Sequence, residues 1–327
     1  MTTAFERYLA SPAGEAMARK WAYMPLTQEV PCPLCGARSH TLWYSLGQGR
    51  AVRCARCGMK YVSPRLSEEQ LGEYYAAMYT DPLFRKDFEG REHDFFGDPE
   101  ERRKKIRDRH VEIELTDAFA PKGRVLDIGS GSGLYFEGLA PGKELHGVEC
   151  SPDAAEFTRQ RFNAEITTRD MMESEFPENY FDVINMTYLV EHLIRPQQAI
   201  EKVVRWLRPG GMLLVSSPNW DGPAARIFRE TFRLNDPCQH INLWGPRTLS
   251  SLLLEAGLPR PKIHRPYFKT EYFNRYEVMR LLRNSLLRLC LPALTALGIN
   301  PQPDKILSPP CWGSIIVLET YKELCHV

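Results

Sequence analysis

The sequence predicts an α/β protein: a Rossmann-like, doubly wound seven-stranded sheet whose last strand is antiparallel, preceded by a small metal-binding ribbon. Three observations predict it. From residue 121 onward, short apolar runs alternate with amphipathic stretches, as parallel strands joined by crossover helices require. The run Arg124-Val125-Leu126-Asp127-Ile128-Gly129-Ser130-Gly131-Ser132-Gly133 joins a buried-strand pattern to three alternating glycines, and a helical pattern starts at Leu134. Upstream, two C-x-x-C-G pairs, Cys32/Cys35 and Cys54/Cys57, stand 18 residues apart.

Composition narrows the class. The 327 residues leave room for one large domain and a small one. Lysine and arginine number 42 against 41 acids, so the net charge of +1 gives no global pull toward nucleic acid or an anionic membrane. No basic-then-apolar leader opens the chain. The longest apolar segment, 286–297, is too short for a bilayer and contains Arg288 and Pro292. Nine cysteines, four of them in C-x-x-C pairs, point to metal binding in a reducing compartment rather than to a disulfide framework. The expectation is a soluble cytoplasmic protein with no membrane span.

Residues 1–30, with Phe5, Tyr8, Leu9, Met17, Trp21 and Tyr23, read as a short helix and a docking arm. In the ribbon, 31–63, each cysteine pair aims two thiolates at one point. Together Cys32, Cys35, Cys54 and Cys57 form the tetrahedral soft-ligand set of structural zinc, with no position left open for catalysis. Short strands are expected at 42–44 and 51–53. Residues 64–120 read as a helical linker or lid. Ser67 caps a helix with Gln70 at the capping-box position, and Tyr74, Tyr75 and Tyr79 line it. Residues 81–99 read as a mobile flap. Residues 100–119 read as one amphipathic helix, with Ile106, His110, Ile113, Leu115 and Phe119 inward and Arg102, Arg103, Lys104, Lys105 and Arg107 on a solvated face.

The sheet domain, 121–327, continues with strands ending at Glu149 and before Asp170, Ser151-Pro152 opening a helix, and a fourth strand at 180–186. A helix at 197–207 closes on Arg208-Pro209-Gly210-Gly211, and the fifth strand follows at 212–217. Residues 221–238 read as a lid insertion. A sixth strand is expected at 262–268, and 314–321 as the final strand, antiparallel beside it. The leucine-rich region 276–297, interrupted at Pro292, reads as helical cover or a homodimer surface.

The glycine spacing carries the chemistry. A dinucleotide fingerprint, G-x-G-x-x-G, needs glycine at 134, which is Leu134, and Asp127 is unusual at the end of such a strand. Glu149 lies 22 positions beyond Asp127, where an acid can accept ribose hydroxyls. With these residues the chain resembles the class I S-adenosylmethionine-dependent methyltransferases, whose motif is (V/L)-(L/V)-(D/E)-x-G-x-G-x-G. The resemblance implies S-adenosyl-L-methionine as cofactor. Asp127, Gly129, Gly131 and Gly133 would face its methionine end, Glu149 its ribose and Asp170 its adenine, with Met171 and Asn185 completing the binding set. The segments C-x-x-C-G-x-x-Y-V-x-P-R, E-H-x-x-x-P, L-R-P-G-G and H-x-N-x-(F/W)-x-P-x-x-L resemble a subgroup in which a zinc ribbon precedes this domain. Its members often modify small molecules such as sugars, glycan precursors or secondary metabolites.

Two specialised chemistries lack their marks. No N-P-P-Y follows the fourth strand, where Asn185-Met186-Thr187-Tyr188 stands instead, and that loop has no Pro-Cys dipeptide. An oxygen, nitrogen or carbon acceptor activated by a general base remains, and histidine suits neutral pH. His240, expected beside a helix start that disfavours its protonated form, is the candidate base. His192, beside Glu191, is the candidate for positioning the acceptor. Two other readings stay open: a ribosomal or transfer RNA methyltransferase using Arg38, Arg50, Arg53, Arg56 and Lys60 of the ribbon, and a non-catalytic cofactor-binding scaffold.

Overall fold

The computed structural model describes residues 10, 15–46, 49–81, 84, 96–97, 99–270, 272–299, 301 and 307–324. Phe5, Tyr8, Leu9 and nearly all of the expected flap at 81–99 lie outside these residues, as do the side chains of Met17, Trp21, Tyr23 and Tyr79. The chain divides into two compact units. One comprises Met1–Asp94, Pro218–Gly245 and Tyr272–Ser314; the other comprises Phe95–Ser217, Pro246–Glu271 and Ile315–Val327.

In the first unit β1 (His40–Leu46), β2 (Gly49–Cys54) and β3 (Lys60–Val62) form an antiparallel meander. A fourth strand, β9 (Asn242–Leu243), pairs with β3 through Lys60↔Leu243 and Tyr61↔Asn242. The ribbon sheet is thus completed by residues more than 180 positions away (242 against 61), which no local pattern announces. A buried lysine secures the join. Lys60 Nζ donates to the Trp220 carbonyl at 2.7 Å and to Asp221 Oδ1 at 2.6 Å, and lies 4.0 Å from the centre of the Trp43 ring. Burial pulls its pKa down, opposed by the Asp221 carboxylate. Tyr44 and Tyr74 donate to Asn235 and Asp236, fastening the rest of the insertion to the same unit.

The helix Glu68–Thr80 starts as its sequence demands: Gln70 N–H donates to Ser67 Oγ, and Gln70 Oε1 accepts from Ser67 N–H. The helix Arg275–Ala296 differs from expectation, because it runs unbroken through Pro292. Proline removes one N–H from the ladder, and 22 residues of helix supply enough other bonds to carry it past that gap.

The second unit holds the seven-stranded sheet. Its strands are β4 (Arg124–Ile128), β5 (Glu144–Val148), β6 (Glu165–Thr167), β7 (Phe181–Thr187), β8 (Leu207–Pro218), β10 (Lys262–His264) and β11 (Ile315–Tyr321). They are ordered β10-β11-β8-β7-β4-β5-β6, with β10 and β11 antiparallel to each other and the pairs among β4 to β8 parallel. Val125, Leu126, Val183, Ile184 and Leu213 are fully buried, as strands covered on both faces require. The Arg208–Gly211 turn is absorbed into β8, where it appears as a register shift opposite Phe181 and Val183. The sixth strand stops at His264, four residues short of Phe268.

The helix expected over 100–119 is two helices, Pro99–Arg107 and His110–Phe119. The break falls at Asp108–Arg109, where Arg109 N–H bonds the Ile106 carbonyl and the first helix ends in a tighter turn. Nor is its whole charged run solvated, for Arg102 is buried. Among the described residues no helix is long and apolar enough to cross a membrane.

Candidate functional site

The centre of the sheet positions the candidate ligand site. Parallel register sets Asp127 opposite Asn185 on one side and Gly147 on the other, so the carboxyl ends of β4, β5 and β7 come together. Beyond β4 the chain turns through Gly129, Gly131 and Gly133 with φ of 77°, 51° and 72°, the left-handed region where glycine alone is unstrained. At Gly133 space is also short: a Cβ would lie 2.4 Å from the Phe162 ring. At Gly131 it would meet nothing within 4 Å. The loop is closed by Glu149, whose Oε2 accepts from Gly131 N–H at 2.7 Å while Oε1 accepts from Ser151 N–H at 2.8 Å.

Asp127, expected from the sequence, gathers beside this loop with two buried groups that sequence reasoning missed, Glu112 and Arg102. Asp127 Oδ1 accepts from Asn185 Nδ2 at 2.7 Å. Burial pushes the Asp127 carboxyl up to about 7; Asn185 and Arg109 oppose the rise, and Glu149 and Glu112 add to it. Glu112, on the helix His110–Phe119, is 1% exposed and accepts from Thr187 Oγ1 at 3.4 Å. Burial raises its pKa as well, against the pull of Arg109. Arg102 holds the loop from outside: its Nη2 donates to the Ser132 carbonyl at 2.8 Å, Nη1 to Ser132 Oγ at 3.0 Å and Nε to Glu137 at 2.7 Å. A signal for Arg102 existed, since it falls in phase with Ile106, Arg109 and Ile113 on one helix face.

Past β7, Tyr188 takes φ +53°, an uncommon conformation for a bulky residue and one that clusters at functional sites. Arg109 sits 5.6 Å from its ring centre. Glu191 follows, completely buried, with its carboxyl pushed up to about 8 by burial. His192 Nε2 lies 3.9 Å from Glu191 Oε1. Asp170 is exposed and accepts from Met172 N–H at 2.7 Å, while Met171 is 4% exposed.

Residues 99–259, which span this whole arrangement, match a family described as a methyltransferase domain. The match takes in just under half of the chain. A ubiquinone biosynthesis O-methyltransferase from Alkalilimnicola ehrlichii is 30% identical over 114 residues, 32% of this chain and 45% of that protein. A phosphoethanolamine N-methyltransferase from Plasmodium falciparum is 30% identical over 124 residues, 34% of this chain and 45% of that protein. The chain spans about half the length of such curated relatives. A solved structure of Burkholderia thailandensis 1,6-didemethyltoxoflavin-N1-methyltransferase, with 1,6-didemethyltoxoflavin and S-adenosylhomocysteine bound, is similar with TM-score 0.49 and 16% identity. That match covers 86% of this chain and 99% of that one.

The matched residues include both His192 and His240 but not the four cysteines, which lie in the first unit. There each knuckle closes on a left-handed glycine, Gly36 (φ 69°) and Gly58 (φ 78°), whose N–H returns to the carbonyl of Cys32 or Cys54. Cys32 and Cys57 Sγ are 3.6 Å apart, as are Cys35 and Cys54, and all four sulfurs lie within 4.8 Å of one another. A tetrahedron with zinc–sulfur bonds of about 2.3 Å has edges of about 3.8 Å, so these sulfurs fit that ion. Burial by itself pushes the Cys32 and Cys57 thiols up. Cys54 is held at about 7, where the N–H groups of Cys57 and Arg56 overcome burial. Four thiolates at this spacing need a cation to coexist.

His240 lies in the first unit, in the stretch before β9 and six residues ahead of the helix Pro246–Glu255. Its pKa is lowered, but by burial and not by a helix N-terminus as the sequence suggested; Asp236 and the Leu234 carbonyl oppose the shift. The ring nitrogen Nδ1 lies 2.6 Å from the Leu234 carbonyl. A carbonyl only accepts, so Nδ1 carries the proton in the neutral ring and Nε2 carries the lone pair.

Proposed function

We propose that this chain is an S-adenosylmethionine-dependent methyltransferase acting on a small-molecule acceptor, such as a sugar, a glycan precursor or a secondary metabolite. The observation that carries the reading is the charge arrangement beside the glycine loop. Glu112 and Glu149 both act electrostatically on Asp127, and Arg109 acts on both Asp127 and Glu112. Such a group of acids is costly without a further positive charge, and a sulfonium cofactor brings one. The open space over Gly131 supports the fit, because a ligand can approach the backbone there. Asp127, Asn185 and the three glycines would hold the methionine end, Glu149 the ribose, and Asp170 with Met171 the adenine. When bound, the cofactor supplies an electrophilic methyl group for in-line displacement.

The chain's own share of the reaction is orientation and proton removal. His240 is proposed as the base because its neutral form and its tautomer leave Nε2 able to accept a proton. His192 is proposed to position the acceptor, with Glu191 beside it. The cysteine set is proposed to hold one structural zinc. The names of the relatives, which denote methylation in ubiquinone biosynthesis and of phosphoethanolamine, support a small acceptor.

Calorimetry tests the cofactor. S-adenosylmethionine should bind and nicotinamide dinucleotides should not; Glu149→Gln should weaken binding about 10- to 100-fold, the worth of hydrogen bonds to a charged group. Failure of the wild-type chain to bind S-adenosylmethionine refutes the reading. Once labelled-methyl transfer into small-molecule extracts yields an acceptor, His240→Ala should cut turnover by ~10²–10⁴ and remove the acid limb of the pH–rate profile. Near-full turnover in that variant, with loss in His192→Ala, would reverse the two roles.

A further inference from the structure

The helix Arg275–Ala296 presents two unlike faces. Its inner face is fixed to its own unit: Asn284, fully buried, donates to the Leu307 carbonyl at 2.9 Å, Leu291 is 5% exposed, and Arg288 pairs with Glu230 at 2.6 Å. The outer face is apolar. Met279, Leu282, Leu286 and Leu289 are 59–65% exposed, and Ala293 and Ala296, also exposed, continue their line. The spacing of these six positions is 3, 4, 3, 4, 3 residues, a heptad seam with 279, 286 and 293 in one register and 282, 289 and 296 in the other.

We propose that this face is a homodimer interface in which two copies of the helix pack antiparallel about a two-fold axis lying between Leu286 and Leu289. Size complementarity selects the direction. Antiparallel pairing sets Met279 against Ala296 of the partner, Leu282 against Ala293 and Leu286 against Leu289, so large side chains meet small ones and leucines meet at the centre. Parallel pairing would set large on large at one end and alanine on alanine at the other. Charge selects the same way. Arg275 and Arg283 are the exposed charged residues of the helix. A parallel pair would bring each arginine against its own copy, whereas the antiparallel pair separates the two Arg283 residues by roughly 13 Å of helix rise, beyond the Debye length.

The exposed apolar surface amounts to roughly 500–600 Å² per copy, or about 1,000–1,200 Å² for the pair, at the lower edge of specific interfaces. Single exposed leucines are ordinary; a continuous seam of this size is not. The helix's arginines argue against an anionic lipid surface as the occupant. Two of its four have carboxylate partners, Arg288 with Glu230 and Arg280 with Glu277, which leaves little positive charge for such a surface.

Sedimentation of the wild-type chain between about 1 and 100 µM tests the proposal. The expected result is a concentration-dependent monomer–dimer equilibrium that Leu286→Asp shifts to monomer at every concentration, with the far-ultraviolet spectrum and thermal midpoint of the monomer unchanged. Leu286→Ser and Leu289→Gln provide milder versions and should each weaken the dimer at least tenfold. A wild-type chain monomeric throughout the range overturns the proposal. So does a dimer that all three substitutions leave intact. Binding of a monomeric wild-type chain to phosphatidylserine vesicles, lost in Leu286→Asp, would assign the seam to a membrane surface instead.

Discussion

Gly131 and Gly133 occupy the same loop and the same region of backbone space, yet the structure assigns them different costs on substitution. Alanine at φ +51° or +72° costs about 1–2 kcal/mol from backbone sterics alone. Gly131→Ala stops there, since its Cβ meets nothing within 4 Å. Gly133→Ala adds contacts of 2.4 and 2.8 Å with the Phe162 ring and 3.1 Å with Thr158 Cγ2. Thr158 is itself fixed by donating to the Gly131 carbonyl at 2.8 Å, so it gives way poorly. Overpacking of this kind costs a further ~1–3 kcal/mol, for a total of about 2–5 kcal/mol. Urea unfolding followed by circular dichroism should therefore place the Gly133→Ala midpoint below that of Gly131→Ala by roughly 0.3–1 M for a chain of this size. S-adenosylmethionine titration should invert the order of damage: Gly131→Ala, the more stable variant, should lose binding more completely, because its methyl group fills the open approach to the loop. Equal destabilisation by the two substitutions, or a more stable Gly133→Ala, would refute the packing argument. Full binding by Gly131→Ala would remove that space from the ligand site.

Elemental analysis of carefully purified chain should give one zinc per molecule, and Cys54→Ser should abolish it and raise proteolytic sensitivity in the ribbon; under half an equivalent in the wild type counts against the site. Stability should also respond to pH through the buried carboxyls. Asp127 and Glu191 keep protons in the folded chain up to about 7 and about 8, well above unfolded values near 4. Between those limits the folded chain binds more protons than the unfolded one, so stability falls as pH rises through the window. Asp127→Asn should flatten the part of that decline ending near pH 7; an unchanged slope in denaturant melts across pH 4–8 would show that its carboxyl is ionised throughout.

The legible parts of this chain are those that obey neighbour rules. Gly36 and Gly58 close the cysteine turns, Ser67 and Ser151 cap helices, and the three alternating glycines take the left-handed backbone their spacing asks for. Each depends on residues within four positions. What stayed hidden depends on distance or on phase. The pairing of β3 with β9 and the Lys60–Asp221 bond, spanning 161 positions, have no local signature. Arg102 and Glu112 carry polar side chains that composition assigns to the surface, and burial is decided by the partners the fold brings to them. Pro292 misled in the opposite way, because a strong local breaker was outweighed by the length of helix around it.

The buried acids and the glycine loop reach one conclusion by separate routes. The loop is a matter of shape: left-handed turns and a gap over Gly131 admit a ligand close to the backbone. The acids are a matter of charge. An asparagine at 127 could accept the bond from Asn185 without the desolvation cost of a carboxylate, so a purely structural role gives no reason for aspartate there. Arg109 offsets part of that cost, and a further cation beside it would favour the ionised form. A dinucleotide, carrying a pyrophosphate to this loop, would meet Asp127, Glu112 and Glu149 as repulsion; a sulfonium would meet them as complement. Shape admits several nucleotide cofactors, and the sign of the charge chooses among them.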